Sequence, residues 1–174
     1  MKKILFFLLL ALICNAAVAQ QIKHIIKNDE WDADSLGNHR VVLRLKNVNS
    51  TIAKAIIEWR RNDERPEEKG LLVVDSATKK RIMNVDVASI NRESCTLYFE
   101  PVRGHSKYFV YYMPYKINRK SNYPDVTYLK PGETASAAWL RSISHKKNVA
   151  HAAVESVESV DALNSFYPME VIAT

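Results

Sequence analysis

Adjacent Asp-Glu pairs are the side chains of this 174-residue chain with the clearest catalytic potential, and they occur as Asp29-Glu30 and as Asp63-Glu64. Such a pair could supply the general acid and the orienting group for the hydrolysis of a sugar linkage. Each pair lies in a polar link between predicted strands, and Asp63-Glu64 lies within the mixed-charge stretch RRNDERPEEK. Because a solvated carboxyl keeps its ordinary pKa and is a poor general acid near neutral pH, we interpret both pairs as charged loops.

Other catalytic constellations are absent from the sequence. It has no G-x-S-x-G, H-E-x-x-H, C-x-x-C or P-loop motif, and only four glycines. The histidines lack the spacing of metal ligands, and His145 and His151 lie in a basic segment that would repel a cation. We therefore predict neither a metal site nor a cofactor.

Aromatic side chains are the other candidates for a binding site, since sugars bind on exposed aromatic rings beside polar donors. Six of the eight tyrosines lie between Tyr108 and Tyr128. Trp59 shares a strand face with Ala55 and Ile57, so we expect it in the core. The alternative for the tyrosines is a place at the edge of the core. The candidate aromatic side chains are Trp31, Trp59, Tyr112, Tyr115, Tyr123 and Tyr128; Tyr123 and Tyr128 are preferred, with Tyr115, Arg119 and Asn122 nearby.

The elements that must position these residues have a period of two, the period of β-strands. Short strands separated by polar turns predict a mostly-β fold, an antiparallel β-sandwich of the immunoglobulin or jelly-roll kind. A short C-terminal helix is predicted over Glu133–Ser144, with Ala138, Trp139 and Ile143 buried, whereas Ala152–Val160 could be a strand or a helix. The predicted strands are Gln21–Lys27, Arg40–Lys46, Lys54–Arg60, Gly70–Asp75, Lys80–Ala88, Cys95–Val102 and Tyr108–Tyr115.

The strand Tyr108–Tyr115 is apolar on both faces. Tyr108, Val110 and Tyr112 share one face, and Phe109, Tyr111, Met113 and Tyr115 share the other. One face can line the sandwich core, and the other needs a cover because a bare face would be a large apolar patch. We expect the cover to be the Glu133–Ser144 helix or a domain outside this chain.

The N-terminus predicts export. Residues 1–19 have the pattern of a signal peptide, with a cleavage site between Ala19 and Gln20; the alternative is lipidation at Cys14. We therefore expect a detached signal helix, a periplasmic or extracellular mature chain of 155 residues, and no stable membrane span. Cleavage lowers the net charge from +6 to +4, which argues against nucleic-acid binding. Only Cys95 then remains, and we predict a buried, inert thiol.

Several segments, in order, resemble the N-terminal domain of exported proteins related to glycoside hydrolase family 123, of the kind found in Bacteroides-type bacteria. The segments are IEWRRNDERPEEKGLLVVDSATKKRI (57–82), INRE (90–93), LYFEPV (97–102), YFVYYMPYK (108–116), SNYPDVTYL (121–129) and NSFYPMEVIAT (164–174). The resemblance implies a β-sandwich ahead of a (β/α)₈ catalytic barrel. It also implies a β-N-acetylgalactosaminidase-like activity, in which an Asp-Glu pair of the barrel assists attack by the substrate's acetamido group.

Neither carboxylate pair of this chain lies in the context of that barrel motif, so no catalytic residue is carried over. We expect a signal peptide (1–19), a β-sandwich domain (20–129) and an extension (130–174) that leads towards a catalytic barrel absent from the chain. Three functions follow: a non-catalytic accessory domain of an exported glycoside hydrolase, a freestanding carbohydrate-binding module for glycans containing N-acetylhexosamine, or an enzyme in its own right. The first is preferred, and the apolar C-terminal segment predicts that the chain is a fragment of a longer protein.

Overall fold

The structure, a computed structural model, describes residues 22–61, 63–118, 125–144, 148–163 and 170–171. Strands dominate it, and its helices are short. The strands are β1 (Lys23–Ile26), β2 (His39–Leu45), β3 (Ile52–Glu58), β4 (Arg60–Arg61), β5 (Leu71–Asp75), β6 (Val85–Ile90), β7 (Ser94–Phe99), β8 (Lys107–Tyr112), β9 (Tyr115–Asn118), β10 (Asp125–Tyr128), β11 (Val149–Ser159) and β12 (Glu170–Val171). The α-helices are α1 (Ala33–Leu36) and α2 (Ala137–Ser144), and Pro66–Glu68 forms a 3₁₀ turn.

One bent sheet forms the body of the domain, with strand order β5-β8-β2-β11-β3-β7-β6 and β1 paired to β11. Its two halves pack face to face: the rings of Phe99 on β7 and Tyr108 on β8 lie 4.9 Å apart, and those of Trp59 and Tyr112 lie 5.5 Å apart. The main core takes apolar side chains from both halves, among them Leu43, Ile57 and Leu97. The prediction of a mostly-β, sandwich-like fold is therefore confirmed.

Strand β11 is the centre of this architecture. It pairs antiparallel with β2 along Ala152–Ser159 and parallel with both β3 and β1. The segment whose sequence allowed a strand or a helix is thus a strand, and it lies between β2 and β3. Neither parallel pairing was expected. Both join segments far apart in the chain, so local periodicity carries no sign of them.

Strand β8 is buried on both faces, as its apolar composition predicts. Tyr108, Val110 and Tyr112 enter the main core. Phe109 and Tyr111 enter a second cluster on the opposite face, formed with Trp31, Val42 and Val160 and flanked by Ala33 and Leu36. The expected cover, the Glu133–Ser144 helix or a domain outside this chain, is wrong, because the segment around Trp31 and α1 covers this face.

The C-terminal helix is confirmed, but it begins later and covers a different surface. It starts after Ser136, whose hydroxyl accepts a hydrogen bond from the Trp139 amide at 3.2 Å and so caps the helix. Trp139 and Ile143 are buried against Ile52 and Tyr98 on the outer face of β3 and β7. Ala138 is exposed, so its place in the buried stripe was predicted wrongly.

Two strands end earlier or begin later than periodicity predicts. Strand β8 stops at Tyr112, because Met113 adopts a left-handed conformation (φ 62°) that turns its side chain into the main core instead of the opposite face. Strand β6 begins only at Val85, and the preceding residues lie beside β5, with the Ile82 amide donating to the Val73 carbonyl at 2.8 Å. The chain from Arg81 to Ile90 therefore passes from one half of the sandwich to the other.

The predicted signal helix and its cleavage site at Ala19 and Gln20 lie outside the described residues. Within the described ranges, none of the helices has the length and apolar character needed to cross a bilayer.

Candidate functional site

The two described tyrosines of the predicted sugar contact face each other across a hairpin. Tyr115 on β9 is the cross-strand partner of Tyr128 on β10, with ring centroids 6.0 Å apart at 82°. The Tyr115 hydroxyl donates to Oδ1 of Asn38 at 2.9 Å. Both rings are half-buried, and Tyr128 packs against the main core. The hairpin therefore supports the edge of the core, the alternative left open by the sequence.

The other predicted contact residues, Tyr123, Arg119 and Asn122, lie outside the described residues. They belong to the connection between β9, which carries Tyr115, and β10, which carries Tyr128. Whether they meet a sugar stays a prediction.

The remaining aromatic candidates are buried. Trp59 lies in the main core as predicted, and its Nε1 donates to the Asn91 carbonyl at 2.8 Å. Trp31 belongs to the second cluster and donates to the Gly37 carbonyl at 2.8 Å. Tyr112 is fully enclosed in the core, and burial raises the pKa of its phenol. None of these three rings presents a face to solvent.

Next to the hairpin lies a buried ion pair that connects it to β4. Arg61 forms two hydrogen bonds with the carboxylate of Asp63, each 2.9 Å long. The guanidinium also lies over the ring of Trp59, 5.0 Å from its centroid. Nζ of Lys69 lies 3.6 Å from Asp63 and 4.5 Å from the centroid of the Tyr128 ring. Lys69 therefore joins the ion pair to the tyrosine hairpin.

The expectation of a solvated Asp63-Glu64 loop is correct for Glu64 and wrong for Asp63. The Asp63 side chain is only 2% exposed. Burial by itself raises the pKa of this carboxyl, but hydrogen bonds and charge from Arg61, aided by Lys69, outweigh burial and lower the pKa. Asp63 is thus a structural group that is ionised at neutral pH. The sequence signal was the i, i+2 spacing of Arg61 and Asp63, which places both side chains on one side of an extended chain.

A cavity of about 740 Å³ opens beside Lys69, between β5 and β6. Residues 129–134 lie along it and are attached at both ends: the Gly70 amide donates to the Leu129 carbonyl at 2.6 Å, and the Thr134 hydroxyl donates to the Met83 carbonyl at 2.6 Å. Gly70 is required there, because a Cβ at this position would lie 2.8 Å from the Lys130 carbonyl oxygen. No pattern in the sequence indicated this cavity.

A second buried charge cluster holds the segment that covers β8. Nε of Arg40 donates to Glu158 at 2.6 Å, and its guanidinium also pairs with Glu30 and with the Tyr111 hydroxyl. The same guanidinium lies 3.8 Å from the centroid of Phe109 and 4.4 Å from that of Trp31. Glu30, from the first carboxylate pair, therefore has a structural partner instead of standing alone in a loop.

The remaining buried carboxylate, Asp75, fixes a turn. It accepts hydrogen bonds from the amide and hydroxyl of Thr78, and Nδ1 of His105 lies 3.0 Å away. Burial raises the pKa of Asp75, but these partners outweigh it and lower the pKa. Cys95 is fully buried, as predicted, and burial raises the pKa of its thiol to about 12, which disfavours the reactive thiolate. Within the described ranges, no group of three or more His, Cys, Asp or Glu side chains could hold a metal ion.

These features define a mostly-β, sandwich-like domain in which the buried charged side chains stabilise turns and covering segments. The model of the family described as glycoside hydrolase 123, N-terminal domain, matches residues 29–160, and the chain belongs to that family. None of the curated proteins and none of the solved structures compared with the chain matches it.

Proposed function

We propose that this domain is a non-catalytic accessory domain of an exported glycoside hydrolase, and that it supports a separate catalytic domain. One observation carries the proposal: the family match names an N-terminal domain and spans nearly all of the described sandwich, residues 29–160. The resemblance described above supplies the expected partner, a (β/α)₈ barrel with β-N-acetylgalactosaminidase-like activity.

The electrostatics of the described carboxylates support a non-catalytic role. A glycosidase needs a carboxylic acid whose pKa is raised so that it holds a proton near neutral pH. Asp63, Asp75 and Glu155 all have lowered pKa values. For Asp63 and Asp75, cations or hydrogen-bond donors outweigh the effect of burial, which raises the pKa. For Glu155, the hydrogen bond from Arg44 is the main cause. At neutral pH these three groups are ionised, so none of them fits the role of a proton donor to a leaving sugar.

An activity assay tests this role directly. We expect the purified chain to show no turnover of aryl N-acetyl-β-hexosaminides. The chain would instead be an enzyme if it showed turnover that Asp63→Asn abolishes and that Glu64→Gln, at the exposed neighbour, leaves intact. Circular dichroism of both variants separates loss of chemistry from loss of fold.

A freestanding carbohydrate-binding module is the second candidate, favoured by the tyrosine hairpin. Tyr115 and Tyr128 bracket the connection that carries Arg119, Asn122 and Tyr123. Titration with glycans containing N-acetylgalactosamine tests this function. Millimolar or tighter affinity that Tyr123→Ala removes would support binding, and the absence of affinity for any glycan would exclude it.

Export is part of the proposal and rests on the N-terminal sequence pattern. We expect the mature protein to begin at Gln20 and to be recovered outside the cytoplasm. N-terminal sequencing by mass spectrometry checks the cleavage site. A protein that keeps Met1 or Lys2, or one acylated at Cys14, would contradict it.

A further inference from the structure

The sandwich has an open seam where the two ends of its strand order approach each other. Strands β5 and β6 are those ends. At one end of the seam, Ile82 and Arg81 lie against Val73 and Val74 and close it. At the other end, Leu71 and Ile90 both line the cavity described above, and in the described part of the chain no strand pairs with the outer edge of β6.

The lining of this cavity combines balanced charges with aliphatic walls. Its carboxylates Glu67, Asp86 and Glu133 balance the cations Lys69, Arg81 and Lys130, so the lining carries no net charge. None of the lining residues is aromatic, whereas sugars bind through aromatic rings. The walls are aliphatic instead, with Leu71, Val73, Ile82, Val85, Ile90 and Leu129 among them. A neutral, apolar occupant fits them.

The edge of β6 specifies the form of that occupant. An edge strand offers a row of unpaired backbone N–H and C=O groups, which an extended polypeptide can satisfy by adding a strand. Val87 on β6 and Leu129 beside β5 are 40% and 36% exposed, and both lie at the cavity. Polar backbone groups beside an aliphatic cleft match an extended peptide that carries apolar side chains.

The position of the cleft connects it to the chain's own C-terminal strand. Lys69 lines the cleft and also contacts Asp63, the partner of Arg61 on β4. Strand β4 pairs in parallel with β12, at Glu170 and Val171. A catalytic domain that follows this domain in a longer protein would be connected to it through the segment beyond β12, which pairs with the strand that carries Arg61.

We propose that the cleft between β5 and β6 is the docking surface for the catalytic domain, and that it binds an extended, apolar segment of that domain. This proposal rests on the accessory function proposed above. The balanced charges of the lining, the unpaired edge of β6 and the continuity through Lys69 with the β4–β12 pairing all point to the same occupant.

Hydrogen exchange, compared between this chain alone and a protein in which it precedes the catalytic domain, tests the proposal. We expect exchange to slow by about tenfold or more at Val85–Ile90 and around Leu129 in the two-domain protein, with no change around Ile56. Protection found only elsewhere would overturn the docking surface but leave the accessory function standing. The absence of protection anywhere would overturn both.

Matched substitutions sharpen the test. Val87→Asp places a charge at the cleft, whereas Ile56→Asp places one at a side chain that is 51% exposed on β3, away from the cleft. Both variants are expected to change the unfolding of the isolated chain equally, and only Val87→Asp should split the two-domain protein into two separate unfolding transitions. Equal effects of both variants on the two-domain protein would overturn the proposal. Protection of β6 that appears in the isolated chain on concentration, or on addition of N-acetylhexosamine glycans, would also overturn it, in favour of a second copy or a small ligand.

Discussion

At the residue scale, two buried arginines of the described chain each form an ion pair with a buried carboxylate. Arg61 with Asp63 and Arg40 with Glu158 are each almost completely removed from solvent. Attraction between two such charges offsets a large loss of hydration, so an intact pair contributes little net stability. Removing one partner is different, because the remaining charge stays buried without compensation.

Asp63→Asn tests this asymmetry. We expect the free energy of unfolding to fall by about 3 kcal/mol, since the buried Arg61 guanidinium loses its counterion. Urea unfolding at pH 7 measures the change. Glu64→Gln is the control because Glu64 is exposed, and it should change the value by less than about 0.5 kcal/mol. Equal effects of the two substitutions would contradict the role assigned to the ion pair.

Acid should weaken the fold through three carboxylates. The pKa values of Asp63, Asp75 and Glu155 are lowered in the folded protein, so the unfolded chain binds protons more readily there. Their stabilisation is complete above the unfolded pKa values of about 4 and is lost as pH falls through the lower folded values. The contribution of these groups to the free energy of unfolding, measured with urea, should therefore be constant above about pH 5 and should fall below about pH 4. Asp75→Asn should make that fall shallower, and an unchanged pH profile would contradict this assignment.

At the scale of elements, the cover of β8 is the most informative contact. Trp31 and Arg40 enclose Phe109 and Tyr111, and the Lys27 and Asp29 amides hydrogen-bond the Ser159 and Val160 carbonyls, each at 2.9 Å. The N-terminal segment is thereby fastened to the end of β11. Strand β8 can be apolar on both faces because the N-terminal segment around Trp31 packs over its outer face.

Trp31→Ala should open that cover. We expect a loss of about 3 to 5 kcal/mol in the free energy of unfolding, because a large buried ring is deleted and a cavity remains. Hydrogen exchange should speed up at Lys27–Leu36 and along the outer face of β8. Trp139→Ala deletes a similar ring from α2 and serves as the control, since it should loosen residues around Tyr98 and leave Lys27–Leu36 unchanged. Faster exchange at Lys27–Leu36 in Trp139→Ala but not in Trp31→Ala would contradict the assignment of the Trp31 segment as the cover of β8.

At the scale of the whole molecule, the proposed support of a catalytic domain has a measurable consequence. Deleting the sandwich from the two-domain protein should lower the melting temperature of the catalytic domain and raise its tendency to aggregate, because an apolar interface becomes exposed. Turnover per folded molecule should change little if the sandwich contributes no catalytic group. Differential scanning calorimetry and an aryl glycoside assay measure both. A tenfold loss of kcat with an unchanged melting temperature of the catalytic domain would instead indicate that the sandwich contributes part of the active site.

Much of this fold could be read from local patterns. Period-two alternation located most strands, the placement of Trp59 and Cys95 in the core was correct, and the two faces of β8 followed from the parity of Tyr108 through Tyr112. The errors came where a backbone conformation broke the period, as at Met113, or where a charged residue in a polar link has an ion-pair partner, as Asp63 has in Arg61 and Glu30 has in Arg40. The alternation of apolar and polar residues, by which the strands were located, does not show which charged residues pair.

The sequence by itself determined that the chain is a mostly-β domain resembling a glycoside hydrolase N-terminal domain, since side-chain alternation and ordered motifs are properties of neighbouring residues. Only the tertiary structure decided which segment covers β8, that β11 lies between β2 and β3 with parallel partners, and that β5 and β6 leave a cleft between them. The physical reason is that burial and strand pairing depend on contacts between residues as distant as Arg40 and Glu158. Such contacts form when the whole chain minimises its exposed apolar surface and unpaired polar groups, and no local pattern encodes them alone.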